Sequence, residues 1–427
     1  MTDSKTVFID ISKLRVGMFV YLDLGWMSHP FPSSSFKIGN EKQLETIRLL
    51  NLTRVRYCAE KSDPESSTAD KSAEADEMPA QAGEQVPGEA SLAVCRREQL
   101  AAQRLLFSRC EEKFSKATKA CVQVMACVGT QPELARDKSQ ALVGEIVGQM
   151  MGDGESMIHL LSDGSGERAA LHSVNVTVLS LLLGKAMLLS EQQMQVLGMA
   201  ALLHDVGKAQ LPERVRWRDP TFTAMEDKIH QEHVAISVAT AQRMGLSASI
   251  QLGIAQHHEM VDGSGFPLGL KGEGMSLPAR ILALVNRYDN LCNPANPNLA
   301  LTPHEALALI FAQTKTRFDA ASLNAFVRLT GVYPPGSVVQ LVDDRYALVM
   351  SVNAARPLRP QVVVYDAETP KDEALILNLE ELPECGIKRS LKPLHLPQAV
   401  LSYLSPRKRI SYFFEQATLP ESAATAA

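Results

Sequence analysis

Histidines far apart in this sequence have to be gathered at one place, and that requirement limits the fold more than any other feature. Positions 172, 204, 233, 257 and 258 lie on or beside apolar segments with helical spacing. His204 sits in Leu203-His204-Asp205-Val206-Gly207-Lys208, and the pair His257-His258 begins the run His257-His258-Glu259-Met260-Val261-Asp262-Gly263-Ser264-Gly265-Phe266-Pro267. The segment Glu191 to Val206 is strongly apolar and stops at Gly207, and Ala224 to Met244 stops at Gly245, both ordinary helix ends. Successive helical patterns of this kind run through residues 151–331, so the expected fold is mainly α.

The residue types around these histidines suit a two-metal hydrolytic site. Neighbours on a helix diverge by about 100°. His204 can therefore hold one metal while Asp205 reaches between two, each carboxylate oxygen serving one cation. Lys208 follows His204 by four positions and Asp205 by three, which places it on the same face. A protonated lysine does not ligate metal, so its charge is free for a phosphate oxygen. His257 and His258 end another helix just before the Gly-rich loop and can share or straddle the site. His230 and His304 fit no ligand position and are expected at the surface.

The rest of the chain divides by composition. At 427 residues and 45% hydrophobic content it can bury more than one core. Residues 1–60 read as a small α+β module: Ile9, Ile11, Leu14, Val16, Met18, Val20 and Leu22 recur near period two, with a helical pattern over Glu41 to Leu50. Within that module, Trp26-Met27-Ser28-His29-Pro30-Phe31-Pro32 reads as a loop plugging its own core. Residues 61–92 are Ser, Ala, Glu, Asp and Pro, too polar to offset their ordering entropy, and read as a disordered acidic linker. Connecting helices are expected over 93–150, where Leu100, Leu105, Leu106, Phe114, Val122 and Met125 have helical spacing. Beyond 331 the pattern changes to short strands around Val338–Leu341, Ala347–Met350 and Val362–Val364, a β-rich extension over 332–415, with a frayed tail over 416–427.

Charge and cysteine usage narrow the function further. The net charge is −5 with no dense basic block, which argues against a binder of DNA or RNA polymers but leaves room for a small anionic ligand. The most apolar stretch, Val174 to Leu189, is interrupted by Asn175, Thr177, Ser180 and Lys185 and reads as a core helix and not a membrane span. No signal-peptide pattern opens the chain. Seven cysteines without a CxxC pair read as reduced thiols of a cytoplasmic protein.

Taken together, HDxGK and HHxxxDGSGFP make the chain resemble the HD-GYP family, a branch of the HD metal-dependent phosphohydrolases. The match runs from about Arg168 to Gly331, and the signature tripeptide stands here as Gly265-Phe266-Pro267, with phenylalanine for tyrosine. Residues 8–60 resemble a domain of unknown function that often precedes such domains, and Tyr333-Pro334-Pro335-Gly336-Ser337 resembles an extension that follows them. The resemblance implies an all-helical HD-type hydrolase domain of bacterial signalling. It implies cyclic di-GMP as substrate, hydrolysed to linear pGpG and/or GMP. It also implies metal ligation by His172, His204, Asp205, His233, His257, His258 and, at the seventh position, Asn286. Asp205 and Lys208 are the expected catalytic pair, and Asp262, Gly263, Gly265, Phe266 and Pro267 the motif loop. The chemistry so implied is in-line attack on phosphorus by a water activated between two divalent cations about 3.5–4 Å apart. Iron or manganese suits the ligands best, and zinc is compatible. Diguanylate cyclase (GGDEF) proteins are implied partners of the loop, and a homodimer is compatible with the pattern.

Three departures accompany the resemblance. Asn286 stands where the family usually has a ligand aspartate, and its neutral amide is the weaker donor. Arg168 occupies a position where some members place a glutamate for a third metal. Asn293-Pro294-Ala295-Asn296-Pro297-Asn298-Leu299 carries no cation, although Ala295 and Asn298 fall where basic residues would clamp the substrate phosphates. Weakened activity is therefore expected. A degenerate member acting through protein contact, or a hydrolase of another phosphoester, remains an alternative. Arg280 is expected to be a helix-face ion-pair partner.

Overall fold

The computed structural model describes residues 6–22, 35–38, 44, 47–48, 54–58, 61–62, 89–152, 154–162, 166–382 and 385–417. The aromatic loop of Trp26 to Pro32, most of the acidic stretch 61–92 and the tail from 418 lie outside them. The chain falls into two compact units, residues 1–88 with 382–384, and residues 89–381 with 385–427.

In the first unit, β1 (Thr6–Asp10), β2 (Phe19–Tyr21), β3 (Ser35–Lys37) and β4 (Arg54–Cys58) form an antiparallel sheet in the order β1-β4-β2-β3. The near-alternation read from the sequence puts Leu14, Met18, Val20 and Leu22 in one core with Ile38, Leu44, Ile47 and Val55. Leu44, Ile47 and Arg48 are helical, as the pattern over 41–50 predicts. Gly17 takes a left-handed backbone (φ 93°) and donates to the Ile38 carbonyl at 2.8 Å, which closes the corner before β2.

The second unit is mainly helical. Helices α1 (Glu89–Cys127) and α2 (Pro132–Met150) pack on each other and on α3 (Arg168–Ala186) and α4 (Glu191–Leu203). Helices α5 (Ala224–Arg243), α6 (Ala248–Ala255), α7 (Leu277–Cys292), α8 (Pro303–Gln313) and α9 (Ala320–Thr330) complete the helical layer. Their starts follow the rules of capping: Ser190, Thr223 and Thr302 each close a capping box with Gln193, Glu226 and Glu305. Helix α3 is long and apolar enough to cross a membrane by length and composition, yet 83% of its apolar window is buried among the other helices. It is the core helix of the unit.

A strand interrupts the stretch expected to be helical. Residues Glu155–Leu160 form β5, a six-residue run following Gly152 and Gly154, too short to commit to a helix. It pairs with β7 (Tyr346–Asn353) and β11 (Tyr412–Ala417), in a sheet ordered β10-β6-β7-β5-β11. Here β6 is Val338–Leu341 and β10 is Ile387–Leu391, and β8 (Gln361–Val364) and β9 (Ile376–Asn378) extend from the other edge of β7. The β-rich extension read beyond 331 is thus completed by a strand from before α3. Its inner face (Val338, Leu348, Tyr412, Phe414) shares one apolar core with α3, α4 and α7. At about 1.5–3 kcal/mol per fully buried large apolar side chain, this shared core anchors the helices that carry the histidines.

Candidate metal centre

Asp205 lies at the centre of the constellation. Helix α4 ends at Leu203, His204 caps it, and Asp205 opens a short 3-10 turn, Val206–Gln210. That turn lies flat against α5. A Cβ on Gly207 would meet the His233 carbonyl oxygen at 2.4 Å and the Ser237 nitrogen at 2.7 Å, so only glycine permits the approach. The Gly207 N–H donates to Ser237 Oγ at 2.9 Å and fixes the contact. The glycine of HDVGK therefore delivers Asp205 to the histidine of a neighbouring helix.

Each Asp205 oxygen faces its own set of imidazoles. Oδ2 lies 3.3 Å from Nε2 of His172 and 3.3 Å from Nε2 of His204. Oδ1 lies 3.3 Å from Nε2 of His233 and 3.6 Å from Nε2 of His257. His258 Nε2 joins the second set, 3.2 Å from His233 Nε2. Two groups of ligating atoms result, His172–His204–Asp205 and Asp205–His233–His257–His258, sharing the one carboxylate.

The remaining ring nitrogens settle the tautomers. Nδ1 of His204, His233 and His257 donates to the carbonyls of Ala201 (2.7 Å), His230 (2.5 Å) and Ile254 (2.6 Å). Nδ1 of His172 lies 2.6 Å from the Asp289 carboxylate. With Nδ1 engaged, the Nε2 lone pairs are left pointing inward, the arrangement that orients metal ligands. These lone pairs face one another at 3.2 Å (His172–His204) and 3.4 Å (His233–His257), and the buried Asp205 Oδ1 has no hydrogen-bond donor. Such a donor set fits divalent cations.

Electrostatics agree for His204, His233 and His258, whereas His172 holds a proton at neutrality that a bound cation would displace. Burial pushes the imidazoles of His204 down to about 4 and His233 to about 2, and His258 well below its usual range, so these rings stay neutral and able to ligate. Burial also opposes the charge on His172, but Asp205 and Asp289 outweigh it and raise that ring to about 8. Asp205 is held well below the carboxylate range because His204 and the Lys208 ammonium outweigh its burial. Lys208 Nζ lies 2.5 Å from Asp205 Oδ2 and 5.2 Å from the Trp217 ring centroid.

The motif loop packs on the second histidine group. A Cβ on Gly265 would come within 2.5 Å of the backbone of residues 258–260, so this position takes only glycine. Phe266, where the family has tyrosine, stacks on His258 with centroids 4.6 Å apart and an interplanar angle of 22°. Asp262 accepts from the Ser264 N–H at 2.9 Å, and Gly263 has φ 83°. Pro267 follows through a cis peptide bond. Glu259, unremarked in the sequence, is fully buried and accepts from the N–H groups of Leu268 (2.7 Å) and Leu270 (2.9 Å), which fixes the loop.

An open cleft of about 1000 Å³ runs from Lys208, His258 and Phe266 past Asn286 to Ala295. Asn286 lies in its wall, but its amide oxygen is already bonded to Asn290 Nδ2 at 2.6 Å. Asp289 bonds His172 and Asn175 and does not take Asn286's place. The loop without cations is gripped by one. Arg168 donates to the carbonyls of Ala295 and Asn293, both at 3.2 Å, and packs 4.7 Å from the Trp217 ring. Arg218, Arg287 and Arg317 line the same cleft. Arg287 is exposed to the cleft, yet the surrounding protein partly desolvates its guanidinium and, with the charges of Arg218 and Arg317, holds it below its usual pKa; among the described residues no carboxylate pairs with it. Arg218 pairs with Asp227 at 3.2 Å and Arg317 lies 3.9 Å from Asp262, which leaves Arg287 as the guanidinium of this group open to an anionic ligand.

Two expectations need correction. His230 is not a surface residue: it is buried, and its Nδ1 bonds the Val215 carbonyl at 2.8 Å across the turn before α5. His304 is half-buried, bonded to the Val332 carbonyl and stacked on Tyr333. Arg280 does pair with Asp319, at 3.5 Å.

Residues 155–322 match the HD domain family, and residues 6–138 match a domain of unknown function, DUF3391. The chain thus carries an HD domain over the helices that hold the histidines. Among curated proteins it is similar to cyclic di-GMP phosphodiesterase PA4108 of Pseudomonas aeruginosa, 28% identical over 368 residues and covering 84% of each chain. The cyclic di-GMP phosphodiesterase response regulator RpfG of Xanthomonas campestris pv. campestris is 34% identical over 143 residues, 33% of this chain and 38% of that one. The 3'3'-cGAMP-specific phosphodiesterase 1 of Vibrio cholerae is 26% identical over 170 residues, 40% of this chain and 39% of that one. The curated relatives it matches here are phosphodiesterases of cyclic dinucleotides, and the motif-loop tripeptide of this chain reads Gly265-Phe266-Pro267.

Proposed function

We propose that this chain is a metal-dependent phosphodiesterase that hydrolyses cyclic di-GMP to linear pGpG and/or GMP, with residues 151–331 as its catalytic part. The observation that carries the reading is the pair of ligand groups joined by Asp205, whose Oδ1 is buried without a donor. His172 and His204 with Oδ2, and His233, His257 and His258 with Oδ1, would hold two divalent cations, for which iron or manganese is the best match. Bound there, the cations supply positive charge at the phosphoryl oxygens and lower the pKa of a water.

The chain's own residues do the rest. Asp205 keeps its charge at any physiological pH and separates the two ligand sets. Asp289 holds the His172 ring in place. Lys208, beside Asp205 at the floor of the cleft, meets a phosphate oxygen without displacing a ligand. Arg168, Arg218, Arg287 and Arg317 bring cations to the cleft from other elements, where Ala295 and Asn298 carry none. A charge-assisted contact to a phosphate is worth about 1.5–3 kcal/mol. Arg287, which no carboxylate pairs with among the described residues, is the one placed to make it, since Arg168 is bonded to carbonyls and Arg218 and Arg317 are paired with Asp227 and Asp262. The relatives' common substrate class, cyclic dinucleotides with two phosphates, suits a cleft with one metal-facing end and one guanidinium-rich end. The free thiols of the described cysteines agree with a reducing, cytoplasmic setting.

The test is cleavage of cyclic di-GMP by purified protein supplied with iron or manganese, beside His204→Ala. Turnover in the wild type and none in the variant supports the reading; equal turnover in both sinks it. A second reading is a degenerate member that acts by contact, through the motif loop, with a diguanylate cyclase domain or with a second copy. It draws on the Asn286 amide oxygen being committed to Asn290. Absence of turnover in the wild type together with its appearance in Asn286→Asp would favour it.

A further inference from the structure

A second cluster of ligating side chains stands apart from the cleft. Cys110 on α1, His159 on β5 and Glu415 on β11 bring a thiol sulfur, an imidazole nitrogen and a carboxylate oxygen within 4.8 Å of one another. The register explains the meeting. Phe413 lies opposite His159 in the antiparallel pair, so Glu415, two residues on, is a diagonal neighbour on the same face. Cys110 follows Phe107 by three positions on α1, and the Phe107 ring meets the His159 imidazole edge-on at 5.1 Å.

The cluster is unsatisfied. His159 is 1% exposed, and neither of its ring nitrogens has a hydrogen-bond partner. Glu415 Oε2 is buried without a donor as well. Buried side-chain polar atoms are nearly always paired, yet two of these three residues, His159 and Glu415, hold buried atoms without a partner. We propose that Cys110, His159 and Glu415 form a second metal site, structural in role and selective for zinc, that ties α1 to the β5–β11 pair.

The chemistry agrees with that ion. Zinc takes sulfur, nitrogen and oxygen ligands together in a tetrahedron, and a water can fill the fourth position. A thiolate, a carboxylate and a neutral imidazole cancel the charge of a divalent cation, so the complex is neutral where it is buried. Burial and the Glu415 charge push the Cys110 thiol up to about 12, and burial brings the His159 ring down to about 4. Before binding, the thiol therefore holds its proton and the imidazole is already in its ligating form. On binding, the S–H bond gives way to an S–Zn bond and the proton leaves to solvent.

The experiment uses the full chain, stripped of metal under a phosphine reductant and titrated with cobalt(II). A thiolate–cobalt bond gives a sulfur-to-metal charge-transfer band in the near ultraviolet, which the sulfur-free cluster around Asp205 cannot produce. The wild type and Asp205→Ala should both develop the band, with an intensity corresponding to one thiolate-bound cobalt per chain whatever the total cobalt uptake, and excess zinc should abolish it. Cys110→Ser should lack the band and bind one fewer zinc while keeping the wild-type circular dichroism, and His159→Ala should bind at least about ten-fold more weakly. A wild-type chain that takes up cobalt with no such band overturns the proposal, whether or not the variants fold. So does a band that survives Cys110→Ser.

Discussion

Two clusters in the same folding unit gather metal-seeking side chains, and they are built to different rules. Around Asp205, three imidazoles are anchored by backbone carbonyls and a fourth by Asp289, and the group faces a wide cleft. Around His159, no ring nitrogen is anchored and the group is closed between a helix and two strands. Anchors fix ligands whether or not an ion is bound, as a site must that exchanges substrate and water. A site without anchors is organised by its ion and suits a permanent resident. The contrast teaches that access and outer hydrogen bonds, more than ligand identity, separate a centre for chemistry from a clip.

The first test of this contrast has the largest expected effect. Asp205→Ala should reduce cyclic di-GMP cleavage by roughly 10³-fold or more, because both ligand groups lose their shared carboxylate. Metal analysis should show the loss confined to the cleft cluster, with the cobalt–sulfur band intact; loss of both signals would make the clusters one system. Lys208→Ala should lower kcat by about 10²–10³-fold, the scale for removing a charge aimed at a reacting oxygen, with metal content unchanged. Depleted metal in that variant would move Lys208 from the substrate to the ligand side. Asp289→Asn should weaken metal binding by about 10–100-fold, the usual cost of losing an outer carboxylate. A neutral outcome would show that the anchors do not matter and erase the distinction.

Arg287→Ala should raise KM about ten-fold at unchanged kcat, the low end for a charge-assisted contact because the side chain is exposed. A kcat effect would place Arg287 at the reacting phosphate instead of the distal one. The smallest effect is on stability against pH in the metal-free chain. The folded pKa of His159 lies below its unfolded value of 6.5, so its contribution is present above pH 6.5 and lost as pH falls toward about 4. His204 has the same sign. His172 is raised to about 8, so its contribution, on the order of 2 kcal/mol, is present below pH 6.5 and lost as pH rises through 8. Urea midpoints should therefore fall on both sides of neutrality. His159→Gln should make only the acid limb shallower, since His204, His233 and His258 still contribute to it, and His172→Gln should flatten only the alkaline one; interchanged effects would contradict the assignment.

The sequence made the cleft cluster readable because its parts are short, contiguous and chemically unambiguous. His204, Asp205 and Lys208 fall within one turn, and His257 to Pro267 within one loop. The helix end at Gly245 and the capping Ser and Thr residues are local signals, so the helical layer was visible too; the end expected at Gly207 falls at Leu203, because that glycine serves the close approach to α5. What was hidden depends on distant pairings. Strand β5 is a brief apolar run whose partners lie far along the chain, and His230 is buried by one bond to a carbonyl across a turn. Arg168, Arg218, Arg287 and Arg317 come from four separate segments, so no basic block announced the cleft. Asp289 was visible as a motif residue, but its bond to His172 required the packing of α7 on α3.

The pairing of β5 with β11 has a consequence for biosynthesis. Positions 155–160 leave the ribosome long before positions 412–417, so the nascent chain must carry an unzipped sheet edge beneath its finished helices until the closing strand arrives. A message cut between positions 292 and 412 would release a protein whose five cleft histidines are all present but whose hydrophobic underside lies open to aggregation.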